Sequence, residues 1–409
     1  MPDTVETLRV LAAGCSISSP PPPYLPRTAS IWEITTWILP MAPEHLRRVL
    51  AQNPKLPQGV AGKDGGTRWF SFADVTILRA HFAPLSRSNR YGPKRPIQTR
   101  APLVAMAGPS GGMGRSTALL HLAVGAVLAG FKVLVIDADP AGRLAQDLGA
   151  AQATNDVLSL IARDGALHLQ LVNQNRIDRG EPPVVVDDVL SAALDTAPVD
   201  LVQLTTWPGL DVIAAKPALL QADLHLAHWQ QALRRWPVSG ALAMALDAGA
   251  LRERYDLILC DTPRGLGPLA MAVLGSADVL LAPLPQRDGA LKTLGADLHG
   301  LATAMTTVQA NEHAMARALG HAAPQHRLRR IAVLPTRTGA GTLPQSGFAA
   351  KLGDALLPAG LPEIPQLVTS TAAHLYDLDY RDVGRLTYAP LRQACDDAWR
   401  GVADVLATM

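Results

Sequence analysis

Residues 108–117 read GPSGGMGRST and stand between a short apolar run, LVAMAG (103–108), and a long one, TALLHLAVGAVLAG (117–130), with helical spacing. A glycine-rich turn entered from a strand and left through a helix constrains the fold more than any other feature of the chain. Glycines at 111, 112 and 114 let backbone N–H groups turn inward without side-chain clashes, and the following helix N-terminus adds a favourable dipole. Such a turn is suited to phosphate, with Ser116 where a hydroxyl ligand for Mg²⁺ belongs and Thr117 behind it. Close packing of a helix on a sheet also selects glycine, so the turn by itself leaves a purely structural reading open.

Two carboxylate motifs narrow that reading. VLVIDADPAGRLAQDLG places Asp137 and Asp139 at the C-terminal end of a second strand, the edge at which open α/β sheets bind ligands. YDLILCDTPRGLG ends another apolar strand in Asp261, placed to hold a metal through water. Apolar runs at 103–108, 132–139, 255–262, 278–285 and 330–337, with LDVIAA (210–215) as a further strand, alternate with helical stretches. The pattern predicts an α/β protein: a mostly parallel, doubly wound sheet covered by helices on both faces. Residues 150–200 have too weak a period to assign.

The 409 residues suffice for this domain and an extra module. Charge divides the chain the same way: residues 1–100 hold 13 Lys and Arg against 6 Asp and Glu, whereas the remainder is mildly acidic. A basic head on an acidic body points to an acidic polymer as the head's partner. A disordered, proline-rich tip (1–30) is expected to precede the head (31–85), and a basic linker (86–100), SRSNRYGPKRPIQTR, separates it from the body (101–409). Cys15, Cys260 and Cys395 form no CxxC pair, so neither a disulfide framework nor a zinc site is expected. No apolar run reaches membrane-spanning length, and the C-terminal AWRGVADVLATM lacks the basic amphipathic character of a membrane-surface helix. His121, on the helix after the loop, is expected to pack in the core.

Together the motifs resemble the ParA/MinD group of deviant Walker P-loop ATPases, and the plasmid-partition branch with RepA-type proteins most of all. Ser110 to Thr117 stands in the place of KGGxGKT, Asp137 to Gly142 is similar to DxDPQG, and Tyr255 to Gly267 is similar to YDxxxxDxPPxLG. The resemblance implies that Gly111, Gly112, Met113, Gly114, Arg115, Ser116 and Thr117 cradle ATP, with Arg337 near the base. It further implies that Ser116, Asp137 and Asp261 hold Mg²⁺, that Asp139 orients the attacking water, and that ATP sandwiches two subunits. The implied setting is a cytoplasmic, nucleoid-associated homodimer, off the membrane, acting on DNA with a ParB-like centromere-binding partner in plasmid or chromosome segregation. The head, with GGTRWFSFADVTILRAHF, resembles a MerR-like winged helix-turn-helix, a small and mainly helical domain. On that resemblance and on charge, Arg47, Arg48, Arg68, Trp69, Arg79, Lys94 and Arg95 are its candidate DNA contacts.

The chain also departs from the pattern. The lysine that reaches across the dimer is Ser110, the loop lysine is Arg115, and Pro109 removes one N–H from the loop. Phosphoryl transfer depends on placement to about 1 Å, whereas binding tolerates more, so the expectation is retained nucleotide binding with slow or absent hydrolysis in which Asp139 and Arg115 are the catalytic pair. Arg143 or Arg264 could restore the missing charge. The alternatives are a non-catalytic DNA-binding regulator and a relative that positions a secretion or polysaccharide-synthesis complex.

Overall fold

A computed structural model describes residues 26–62, 66–86, 91–93, 100–108, 110–150, 156–233, 236–285, 289–318, 327–337, 367–368, 385–407 and 409. The head opens on β1 (Ala29–Ser30), which pairs antiparallel with β3 (Arg68–Phe70), itself paired antiparallel with β2 (Val60–Ala61). Three helical pieces complete it: Ile31–Glu33 running into a wider π-turn at Ile34–Ile38, Pro43–Gln52, and Phe72–Phe82. The last starts where Ser71 and Asp74 cap each other, the Ser71 side chain accepting from the Asp74 N–H and Asp74 from the Ser71 N–H. Residues 26–30, expected in the disordered tip, are part of this fold, because β1 supplies backbone pairing and Arg27 bonds Glu33 and Tyr388. The remainder of the tip and most of the linker lie outside the described residues.

The body is built on β4 (Leu103–Met106), β5 (Val133–Asp137), β6 (Gln203–Leu204), β7 (Leu210–Ile213), β8 (Leu257–Asp261), β9 (Val279–Pro285), β10 (Arg330–Arg337) and β11 (Leu367–Val368). They form one sheet in the order β11-β10-β9-β4-β8-β5-β7-β6, parallel throughout except that β6 runs against β7. Every residue of β4, β5, β7, β8 and β9 is buried, as strands covered on both faces require. Strand order reverses around β4, so its C-terminal end opens onto the crevice where such sheets take ligands.

Residues 150–200, unassigned from sequence, contain the helix Val157–Ile177, capped by Asp156, and a short helix Asp188–Ala192. Trp236 and Trp229 hold these pieces by donating to Asp164 and Asp187, each at 2.7 Å.

The head does not hang free of the body. Its Leu46, Leu50, Phe70, Val75, Leu78 and Phe82 belong to the same buried cluster as the loop helix Arg115–Leu128 and the C-terminal helix Arg385–Ala407. Phe72 meets Trp207 edge-on at 5.6 Å, and Trp37 meets Tyr388 at 5.9 Å. At the centre of the junction the Arg79 guanidinium donates to the carbonyls of Tyr91 at 2.6 Å, Ile38 at 2.8 Å and Leu128, the last residue of the loop helix. Arg79 is therefore no DNA contact: its donors are committed inside the protein, at the carbonyl ends of two helical segments where a cation is favoured.

Candidate functional site

The loop helix cannot begin until the chain has turned through a left-handed backbone. Gly112 and Gly114 supply that turn at φ 74°, and a side chain at Gly112 would meet no atom within 4 Å. The space beside Gly112 is open, which leaves the backbone there approachable by a phosphate. Met113 is buried beneath it, and its carbonyl accepts from Thr336 Oγ1 at 3.2 Å, tying the loop to β10.

Two carboxylates flank the turn because parallel pairing of β5 with β8 places Asp137 opposite Asp261. Ser116, in the first turn of the helix, donates through Oγ to Asp261 Oδ2 at 2.5 Å. Asp261 is fully buried, and its Oδ1 has no hydrogen-bond partner. A buried carboxylate oxygen without a donor is costly. Burial accordingly pushes the Asp261 carboxyl up to about 6, against the opposing pull of Arg115 and Ser116. A divalent cation at this point would relieve that cost, so Ser116 and Asp261 fit the first protein ligands of Mg²⁺.

Asp137, expected beside them on the metal, has both oxygens engaged by backbone N–H groups. Its Oδ1 accepts from the Asp139 N–H at 3.2 Å and its Oδ2 from the Ala145 N–H at 2.9 Å, which shapes the turn after β5. Burial and the neighbouring Asp261 raise its carboxyl well above the ordinary value. Among the described residues no set of three His, Cys, Asp or Glu side chains forms a cage.

Arg115 is buried, with 6% of its surface exposed, and its guanidinium is turned back into the site. It donates to the Gly108 carbonyl at 2.6 Å, to the Pro263 carbonyl at 3.5 Å and to Asp139 Oδ2 at 3.3 Å. The loop cation and the carboxylate expected to orient water are therefore paired with each other. Asp139 keeps its other oxygen on the Ala141 N–H at 3.0 Å. Arg264 approaches the same Asp139 Oδ2 at 3.8 Å from an exposed position. Arg143 instead pairs along its own helix with Asp147 at 2.8 Å.

Ser110 donates to Asp297 Oδ1 at 2.8 Å, and Asp297 Oδ2 is buried without a partner. Asp297 belongs to the long helix Ala290–Ala318, and no motif in the sequence marks it as part of the site. Thr117 follows in the first turn of the loop helix. Arg337 closes β10, but its side chain lies outside the described residues. His121 is buried on the loop helix beside Cys395, with 3.8 Å between Nδ1 and Sγ.

Of the head residues, Arg47, Arg48 and Arg68 are exposed, whereas Trp69 is buried in the small sheet and offers no surface to a nucleic acid. Arg47 meets Glu44 at 3.2 Å, and Arg68 donates to the Gln58 carbonyl at 2.7 Å. Lys94 and Arg95 lie outside the described residues.

Comparison with known proteins agrees with this fold. A family model described as an AAA domain, AAA_31, matches residues 101–315. The chain is 30% identical over 247 residues to a putative replication protein A of Rhizobium rhizogenes, covering 60% of this chain and 54% of that protein. It is 30% identical over 182 residues to the chromosome partitioning protein ParA of Caulobacter vibrioides, covering 44% and 55% of the two chains. Against the chromosome-partitioning ATPase Soj of Thermus thermophilus it is 28% identical over 225 residues, or 55% and 69%. The matched region thus spans about half the length of the first two relatives. Among solved structures, one described as a partition protein is similar over 99% of this chain and 97% of its own, with a TM-score of 0.61 at 14% identity. The ATP complex of a Cyanothece McdA variant is similar over 75% and 97%, with a TM-score of 0.50 at 19% identity. At those identities the two structures speak for the fold, head included in the first case.

Proposed function

Because the chain belongs to the AAA_31 family of AAA domains and its relatives include ParA and Soj partition proteins, we propose that it is a nucleotide-switched partition ATPase. The observation that carries the reading is the buried Asp261 Oδ1, without a partner, beside Ser116 in the first turn of the helix that leaves the glycine turn. The turn from Gly111 to Thr117 would hold the phosphates of ATP through backbone amides, and Ser116 with Asp261 would hold Mg²⁺. Bound magnesium supplies charge neutralisation across the phosphates. Asp139 orients water once it is released from Arg115. In this reading the switched state is a homodimer that binds DNA and works with a ParB-like partner on the nucleoid. The head adds its own DNA contacts through Arg47, Arg48 and Arg68, and the order of helices around a small antiparallel hairpin supports a winged helix-turn-helix there.

One observation favours a second, non-catalytic reading. The Arg115–Asp139 pair engages the loop cation and the water-orienting carboxylate at once, so hydrolysis has to break it. Binding requires no such step. We therefore expect nucleotide occupancy with slow turnover. Calorimetric titration of MgATP into the full chain tests the proposal: saturable heat is expected, weakened at least about tenfold by Asp261→Ala. No heat with the wild-type chain at millimolar MgATP overturns it.

A further inference from the structure

We propose that Arg264 is the cation that meets the terminal phosphate of the nucleotide, supplied by the same chain that holds the loop. This rests on the nucleotide-binding reading above and names the residue that completes the site. The turn stands beside Asp139 and Asp261, a triphosphate brought there adds further negative charge, and the site needs a cation free to turn toward it. Arg115 does not meet that need, since its guanidinium is buried and donates to two carbonyls and a carboxylate.

Arg264 differs in each respect. Its side chain is 67% exposed. Its Nη1 would lie 3.6 Å from a methyl group placed on Gly111, so the guanidinium already stands over the N-terminal half of the turn. Its Nε is 3.8 Å from Asp139 Oδ2. One side chain therefore reaches both the loop and the carboxylate expected to orient water. It does so from a fixed base, because Thr262 Oγ1 donates to the Met106 carbonyl at 2.8 Å at the end of β4.

The ion pair with Asp139 is long, its cation is exposed, and the buried carboxylate is already held by Arg115 and the Ala141 N–H, so Arg264 is readily exchanged to another acceptor. A phosphate oxygen offers a shorter, charge-assisted and potentially bidentate contact. The helix N-terminus after Gly114 takes the phosphate nearer the loop helix, whereas Arg264 stands on the other side, between Gly111 and Asp139. Its contact is thus with the terminal phosphate, and a nucleoside diphosphate lacks the group it meets. The same move frees Asp139 from one of its two cations.

Affinities of the full-length chain for MgATP and MgADP, measured by calorimetry for wild type, Arg264→Ala and Arg264→Lys, test this. Arg264→Ala is expected to weaken MgATP about ten- to hundredfold while changing MgADP less than about threefold, with Arg264→Lys between. Because the side chain is exposed, a merely structural role would shift both nucleotides together. Equal losses for the two nucleotides, or MgATP binding unchanged in Arg264→Ala, overturn the assignment and leave nucleotide binding standing. Failure of the wild-type chain to bind either nucleotide overturns both.

Discussion

Replacing Arg79 by methionine keeps most of the aliphatic stem and removes the guanidinium that joins head to body. Three carbonyls then lose their donor: Ile38, Tyr91 and Leu128. A buried carbonyl left without a partner costs about 1 to 3 kcal/mol. The low end applies here, because a cavity of about 420 Å³ lies beside the guanidinium and admits water to the exposed acceptors. Three acceptors at that value amount to about 3 kcal/mol. With a denaturant slope of about 3 kcal/mol/M, the urea midpoint should fall by about 1 M. Burial brings the Arg79 pKa down to about 10, so the wild-type side chain stays charged at neutral pH and the comparison is with a cation. The assay is equilibrium urea unfolding followed by tryptophan fluorescence, with binding of a labelled duplex measured in parallel below the transition. DNA affinity should stay within about twofold of wild type, since the guanidinium faces inward. A midpoint unchanged within about 0.2 M, together with a tenfold loss of DNA binding, would refute the reasoning and return Arg79 to the nucleic-acid surface.

Arg115→Lys cannot span Gly108, Pro263 and Asp139 with one ammonium, so Asp139 should be freed; phosphate release should rise at least about tenfold while MgATP affinity changes less than about threefold, and no rise would show that the pair does not limit turnover. Burial holds the Asp164 carboxyl above its ordinary value of 3.8 although Trp236 donates to it. A folded pKa raised above the unfolded one gives stability that is full below about pH 4 and is lost as pH rises through the folded value. The unfolding free energy of wild type minus that of Asp164→Asn should therefore fall between pH 4 and pH 7, and a flat or rising difference contradicts the burial argument. Charge reversal of the exposed Arg47, Arg48 and Arg68 to glutamate should lower duplex affinity at least about tenfold at low salt and flatten its salt dependence, with the urea midpoint unmoved; unchanged affinity would remove the head from the DNA-binding surface.

The sheet was legible because its signal is carried by composition alone. Strands buried on both faces read as unbroken apolar runs, and the runs at 103–108, 132–139, 210–215, 255–262, 278–285 and 330–337 all became strands, shortened by up to three residues. The ligand edge followed from chain order, since Asp137 and Asp261 end strands that pair in register. What the sequence did not disclose was direction. An arginine in a basic segment reads the same whether it faces water or a helix end, and Arg79 and Trp69 were misplaced for that reason. A strand-end carboxylate can likewise take a metal or backbone N–H groups, and the sequence does not show that the turn after β5 donates to both oxygens of Asp137. Asp297 carried no local signal, since it reaches Ser110 across 187 positions from the first third of a long helix.

That long-range geometry also determines how the site and the head can communicate. The loop helix Arg115–Leu128 has 14 residues, a rod of about 21 Å. Its first turn holds Arg115 and Ser116 against Asp139 and Asp261, and its last carbonyl accepts from Arg79 of the head. Most of its length is buried, with Leu119, Leu122 and Val124 packed in the cluster shared with the head and the C-terminal helix. A close-packed rod transmits a displacement rather than absorbing it, because interiors have low compressibility. The Arg115 end and the Leu128 end are two ends of one packed rod, and the element bonded to its far end is the helix Phe72–Phe82 carrying Arg79. A flexible tether between two independent modules would offer no such connection. The shared core at the junction ties the head to the helix that starts at the loop.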